Sequence, residues 1–404
     1  MSLKSFKNKR KITSYVLASA LVLSNLGLVA PASAATPTQA PKKDYAPLIE
    51  QFKQHLKLTD GKKKMKSQIK ANFKATDKVR VIVEVDGQTP VEQATEQGKL
   101  YKDLPETTKA SIESKINKQQ KTVKDKIKAK GVKLTYKNHF STAFNGFSGE
   151  MTFGDLSKLE EVEGVKHVYL AHEYKRPLET PSMKNSKSYI QTSATWADAG
   201  LKGEGMVVSV IDTGVDPSHK DFILTDATKE GLSKNEVDNL IKQKGLKGKF
   251  FTDKVPYGYN YFDQNDTILD KGPDTAMHGM HVAGTVAANG DEENGGVKGV
   301  APEAQVLAMK VFSNDPLFPS TWSDVYLAAI DDSIKLGADV INMSLGDDAS
   351  FYNEESAEDV LFHELQIMGL FAQWLPETPG RSPTAGVKIH ILKIRISVWL
   401  VHQD

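Results

Sequence analysis

The sequence contains no cysteine. That excludes disulfides, a cysteine nucleophile and any thiolate metal site, so the fold must rest on its apolar core or on bound ions. Neither sign of charge is in excess: 52 Lys and Arg stand against 51 Asp and Glu, which gives no reason to expect nucleic acid as a partner. Apart from residues 16–30, no stretch is apolar for long enough to suggest a bilayer span. There is no internal repeat, and 404 residues leave room for two or three domains.

What is present begins with an export pattern. Lys4, Lys7, Lys9, Arg10 and Lys11 make a positive start, residues 16–30 are mostly apolar, and Ala32-Ser33-Ala34 offers a small-residue cleavage site. Residues 1–34 therefore read as a signal peptide and residues 35–75 as a polar, lysine-rich lead-in. Over residues 76–175 the pattern changes. Val79 to Val85 alternates and is β-branched, which predicts a strand. Residues 93–130 are highly charged, with Ile112, Ile116, Val123 and Ile127 on one helical face. A strand pair over 134–153, a short helix over 155–162 and a strand over 166–174 complete a small α+β domain. Residues 176–205 read as a connector and the start of the next domain.

From residue 206 onward, apolar runs at 206–211, 305–311 and 339–345 suit parallel strands covered on both faces. Residues 320–336 read as a helix, with Trp322, Val325, Leu327, Ala328, Ile330 and Ile334 as its apolar stripe and Gly337 as its stop. A charged insertion over 225–254 predicts surface structure.

Two segments carry chemistry. VVSVIDTGVD, residues 207–216, puts Asp212 at the carboxyl end of a buried strand. MHGMHVAGTVA, residues 277–287, puts His278 at a helix start among small residues. Taken singly, Asp212 is a turn aspartate before glycine and His278 a structural histidine. Taken together, they supply the orienting acid and the general base of a nucleophilic triad.

VVSVIDTGVDPSHKDF, HGMHVAGTVA, GVAPEAQVLAMKVF and GADVINMSLG closely resemble the consecutive motifs of the subtilisin-like serine proteases, over about residues 190–350. The insertions and AMKVFSN look most like the cell-envelope proteinases of Gram-positive bacteria, the lactocepin type. Residues 76–175 resemble the family's inhibitory propeptide, which also acts as a folding chaperone. The resemblance implies an α/β domain with a mostly parallel sheet, its N-terminal half over residues 206–360, behind a ferredoxin-like α+β propeptide. It carries Asp212 and His278 over as catalytic. It carries Ser344, Leu345 and Gly346 over as the edge that pairs with an extended polypeptide substrate, with the chain's own propeptide as a second partner. Met280 departs from the threonine usual there. Asp221, nine residues after Asp212, matches a structural calcium ligand of many members. Asn289, Asp291 and Asn294 offer further oxygens for that calcium; a solvated acidic loop is the other reading.

After Asp359 the resemblance ends. The family continues with an Ala-Gly-Asn strand end, whose Asn helps form the oxyanion hole, and later with the Gly-Thr-Ser-Met-Ala nucleophile segment. Neither is present, and Ser382 and Ser397 stand in no comparable setting. Read one register out, the codons for Met368-Gly369 must give glycine, and those from Phe362 permit a reading that ends in Ala-Gly-Asn. A reading-frame shift at or shortly before residue 361 is therefore expected, with 361–404 an out-of-frame tail. The parent would be longer, secreted or associated with the cell envelope, and the chain as written inactive. LPETPG at 375–380 then resembles a wall-sorting signal by accident. The rival function is a non-catalytic protease inhibitor or folding chaperone acting through residues 76–175.

Overall fold

The computed structural model describes residues 73–177, 190–272, 277–345 and 357. The expected signal peptide, most of the lead-in, Gly346 and the expected out-of-frame tail lie outside the described residues.

The alternating run forms β1 (Lys78–Val85). Helix α1 (Pro90–Glu96) starts on a capping box: Thr89 Oγ1 accepts from the Glu92 amide at 3.1 Å and Glu92 Oε2 from the Thr89 amide at 2.6 Å. The charged segment expected as one helix is broken around Gly98 and Pro105. Its main part is α2 (Glu106–Ala129), which buries Ile112, Ile116, Val123 and Ile127 as the 3.6-residue period requires. Then come β2 (Thr135–Phe140), β3 (Gly146–Thr152), α3 (Leu156–Glu160), β4 (Val165–Leu170) and β5 (Glu173–Lys175). The sheet order β2-β3-β1-β4, antiparallel throughout, is the split βαββαβ arrangement of a ferredoxin-like domain.

After α4 (Thr192–Ala199) the second sheet begins with β6 (Val207–Asp212), buried along its whole length. Its companions are β7 (Tyr257–Asn260), β8 (Gln305–Lys310) and β10 (Val340–Met343), in the order β10-β6-β8-β7, all parallel. Between them lie α5 (Lys234–Lys244), α6 (His278–Ala287), β9 (Ser320–Trp322) and α7 (Ser323–Lys335). Side chains alternate faces along a strand, and the two helices take one face each. Val208, Val210, Val306 and Ala308 pack with Val282, Ala283 and Val286 of α6. Val207, Ile211, Leu307 and Met309 pack with Val325, Ile330 and Ile334 of α7. Both faces are thus apolar, as the continuous runs imply. Among the described residues no helix is long and apolar enough to cross a membrane.

Two further expectations differ from the structure. Residues 320–322 are not the first turn of a helix but the strand β9, because Glu173–Lys175 of β5 pairs with them antiparallel. The insertion over 225–254 is not all surface. Leu232, Val237 and Leu246 are buried, and Lys244 at the end of α5 pairs with Glu106 and Glu113 of α2 at 3.2 and 3.3 Å.

Candidate active site

Asp212 ends β6, and His278 begins α6, which packs on that strand. The His278 Nδ1 and Asp212 Oδ1 are 2.8 Å apart, and both residues are buried. The carboxylate accepts the Nδ1 proton in this geometry, which leaves Nε2 as the basic nitrogen. Asp212 Oδ1 also accepts from the Thr213 amide at 2.6 Å, and that fixes the carboxylate rotamer.

Close backbone approach makes the pairing possible. A Cβ on Gly279 would lie 2.6 Å from Gly214 O, 2.7 Å from Gly214 N and 3.0 Å from the Asp212 Cβ. Gly214 itself takes φ +139°, a conformation left to glycine. Just before the helix, Met277 adopts φ 48° and turns the chain so that His278 is its first residue. A non-glycine residue held there costs of order 1–3 kcal/mol.

Thr213 joins the parts together. Its hydroxyl accepts from the Gly279 amide at 2.9 Å, and its carbonyl accepts from Lys310 Nζ. Lys310 sits opposite Asp212 in the β6–β8 register and is fully buried. Burial pulls its amine down to about 8, against the attraction of Asp270, Asp263 and Asp212. For Asp270, burial alone would raise the carboxyl. The Thr213 hydroxyl, the Gly272 amide, Lys310 and Arg176 outweigh burial and hold it below its ordinary value.

The other expected site residues are placed as follows. Ser344 and Leu345 follow β10, whose end lies beside that of β6, with Met343 opposite Ile211. Ser344 Oγ accepts from Asn342 Nδ2 at 3.1 Å, Leu345 is buried, and Gly346 is outside the described residues. The extended segment in this structure lies on β9, so the strand-pairing edge that it uses was missed. Met280 takes up a loop contact, its sulfur accepting from the Asp216 amide at 3.2 Å.

The side chains expected to ligate calcium are engaged with their own loop. Asp221 is buried, and its Oδ2 accepts from the Val297 amide at 3.0 Å. The Asn289 amide donates instead to Ile223 O, Thr225 Oγ1 and Glu303 Oε1. Asp291 and Asn294 bond each other, and Asp291 caps its own turn. Among the described residues no three acidic or histidine side chains cluster to hold a metal. Asp221 and Asn289 act as loop clamps.

Sequence reasoning missed Thr213, Lys310, Asp270 and β9. Lys310 carried a signal, since it is a lone charge closing the apolar run QVLAMK level with Asp212. Asp270 carried none, because nothing in TILDKG marks it apart from a surface loop.

Residues 203–371 match the profile of the Subtilase family, and residues 80–177 that of Peptidase inhibitor I9. The PII-type proteinase of Lacticaseibacillus paracasei is 43% identical over 68% of this chain and 14% of its own length. The PI-type proteinase of Lactococcus lactis subsp. cremoris is 42% identical over 69% of this chain and 14% of its own length. The minor extracellular protease Vpr of Bacillus subtilis (strain 168) is 33% identical over 61% of this chain and 28% of its own length. The chain thus spans about a seventh of the two proteinases that it matches at 42–43% identity. A solved structure, the epidermin leader peptide processing serine protease from Staphylococcus aureus, aligns at TM-score 0.41 and 17% identity, over 72% of this chain and 56% of that one.

Proposed function

Residues 203–371 are a subtilase-family domain and residues 80–177 a peptidase inhibitor I9 domain; from that premise we propose that the chain carries the Asp–His half of an exported serine endopeptidase, covered by its own inhibitor domain. The observation that carries this reading is the 2.8 Å Asp212–His278 hydrogen bond at a strand end and a helix start. In peptide hydrolysis His278 accepts the proton of an attacking serine hydroxyl and returns it to the leaving amine. Asp212 holds the ring in the correct tautomer and stabilises the imidazolium. The substrate is an extended polypeptide, and the β5–β9 pairing supports strand addition as its mode of binding. Export is supported by the signal-type start and by a relative named as an extracellular protease.

Residues 1–404 contain no Gly-Thr-Ser-Met-Ala segment. A preparation of these residues alone is expected to show no triad-dependent cleavage, because triad members act as a unit. The β5–β9 pairing also favours a second reading, an inhibitor or folding chaperone that works through the I9 domain.

One experiment separates the two. The coding DNA is resequenced across codons 350–365 and read on in all frames. If a frame continues through Ala-Gly-Asn to Gly-Thr-Ser, its product should cleave casein, and Asp212→Asn should lower kcat roughly 10⁴-fold. If no such frame exists, the endopeptidase reading fails and the inhibitor reading is left. Titration of the chain against a mature subtilisin-like protease then decides that one, since absence of inhibition at micromolar concentration would sink it.

A further inference from the structure

Along the β5–β9 pair, Glu173 faces Trp322, Tyr174 faces Thr321 and Lys175 faces Ser320. One residue on, the Arg176 amide donates to Pro319 O at 2.7 Å. Side chains alternate along an extended segment, so Tyr174 and Arg176 project to one side and Glu173 and Lys175 to the other. Tyr174 packs edge-on against buried Tyr326, with ring centres 5.6 Å apart. Arg176 enters a closed polar pocket, where it is 7% exposed. Its guanidinium ion-pairs with Asp270, and Nη1 donates to Ser313 O at 3.3 Å. Any side chain at Gly272 would collide with that guanidinium. Asp270, also 7% exposed, accepts from the Gly272 amide at 3.0 Å.

A buried carboxylate and a buried guanidinium each incur a large desolvation cost unless they meet in good geometry. Here the carboxylate is fixed in advance by the scaffold, and the strand delivers the cation. That is the layout of a side-chain subsite: backbone bonds hold the peptide, and a preset pocket reads every second residue. We propose that Asp270, the Ser313 carbonyl and the space over Gly272 form a subsite that selects arginine in extended polypeptides bound along β9, with Arg176 as its resident occupant. This rests on the functional reading above, in which β9 is a substrate-binding edge. Lysine could supply the charge but not the planar fork that reaches both Asp270 and Ser313 O, and an uncharged side chain would leave Asp270 without the partner that its burial demands.

The test uses the full chain bearing Arg176→Ala. Its probes are two fluorescent pentapeptides, Glu-Tyr-Lys-Arg-Pro and the same sequence with alanine for arginine, read by anisotropy. The arginine peptide should bind roughly tenfold tighter or more, the contribution of a charge-assisted hydrogen bond. Adding Asp270→Asn should abolish that preference. Equal affinities for the two peptides would overturn the proposal. So would failure of both to bind while residues 173–176 of the unmodified chain stay protected from hydrogen exchange, since the ion pair would then be an internal brace only. If residues 173–176 and 320–322 of the unmodified chain show no protection at all, β9 is not a strand-binding edge, and the functional reading falls together with the subsite. If Arg176→Ala loses protection in β6, the same comparison is run on Arg176→Lys.

Discussion

Gly279 decides whether histidine and aspartate can meet. An alanine there would drive its Cβ into the Gly214 backbone at 2.6–2.7 Å, and backbone cannot rotate away as a flexible side chain can. We expect Gly279→Ala to cost about 1–3 kcal/mol, the usual penalty for overpacking. It should also lengthen the Asp212–His278 bond, which the low-field imidazole N–H resonance would report. Gly284, five residues along the same helix, meets nothing within 4 Å. Gly284→Ala should stabilise by about 0.5–1 kcal/mol, because it removes freedom from the unfolded chain only. Urea midpoints moving in opposite directions would bear out the pair; two equal losses would contradict it. Lys254 gives a second residue-scale expectation. Its buried amine donates to Pro302 O and Ala304 O, both at 2.6 Å, and burial lowers it to about 7 against the pull of Glu303. The folded value lies below the ordinary value of about 10.4. Between those values the unfolded chain holds a proton that the native chain lacks, so this group makes stability rise with pH. Below about 7 its full penalty is present. Lys254→Met should therefore flatten the stability curve between pH 7 and 9, by urea unfolding at each pH. Identical slopes for variant and parent would mean that the amine is not shifted.

At the scale of elements, the sequence reveals most where one periodicity serves one partner. The apolar runs of β6, β8 and β10 are legible because two helices cover them and every position but Val340 is inside. The α2 stripe is legible for the same reason on one face. Residues 320–322 are not, because their strand form depends on Glu173–Lys175, almost 150 residues earlier, and on no local pattern. Asp212 and His278 are readable as motifs and Lys310 as the lone charge that closes an apolar run, whereas Thr213 and Asp270 act through tertiary neighbours that no spacing encodes. The side chains expected at calcium are engaged in their loop's own hydrogen bonds. Helix α7 shows how much one element can organise. Asp324, in its first turn, accepts from Arg80 Nη2 at 3.0 Å, Asn138 Nδ2 at 2.8 Å and Ser148 Oγ at 2.5 Å, all from the inhibitor domain. The helix N-terminus favours an anion there. Asp324→Ala would leave the Arg80 cation and two polar groups facing an apolar methyl, at a cost of about 3–5 kcal/mol. Limited proteolysis should then cut residues 73–177 markedly faster than in the parent. An unchanged cutting rate would mean that α7 does not anchor the inhibitor domain through this carboxylate.

For the molecule as a whole, the two domains share a core as well as a polar seam. Ile82, Val91, Phe140 and Phe144 of the inhibitor domain belong to the same buried cluster as Val207, Ile211, Leu307 and Ile330 of the subtilase domain. Over that cluster lies a line of carboxylates on α7. Asp331 accepts from the Thr142 amide at 2.8 Å and pairs with Lys335 at 2.8 Å. Lys335 is held charged there, because Asp331 and Asp332 more than offset its burial. Inter-domain contacts within a chain are usually looser and more polar than a core, and domains so joined open separately. A continuous apolar cluster predicts the opposite behaviour. In urea, the exchange protection of residues 81–83 in β1 and 207–211 in β6 should vanish at one concentration. Asp324→Ala combined with Asp331→Ala should split it, with β1 opening first, because the seam is cut while the subtilase sheet keeps its own covering helices. Two separate transitions in the unmodified chain would refute the shared core. The seam also bears on the β5–β9 pairing, because β5 continues from the inhibitor sheet. A shared transition would mean that β5 leaves β9 together with the whole inhibitor domain rather than by fraying of three residues.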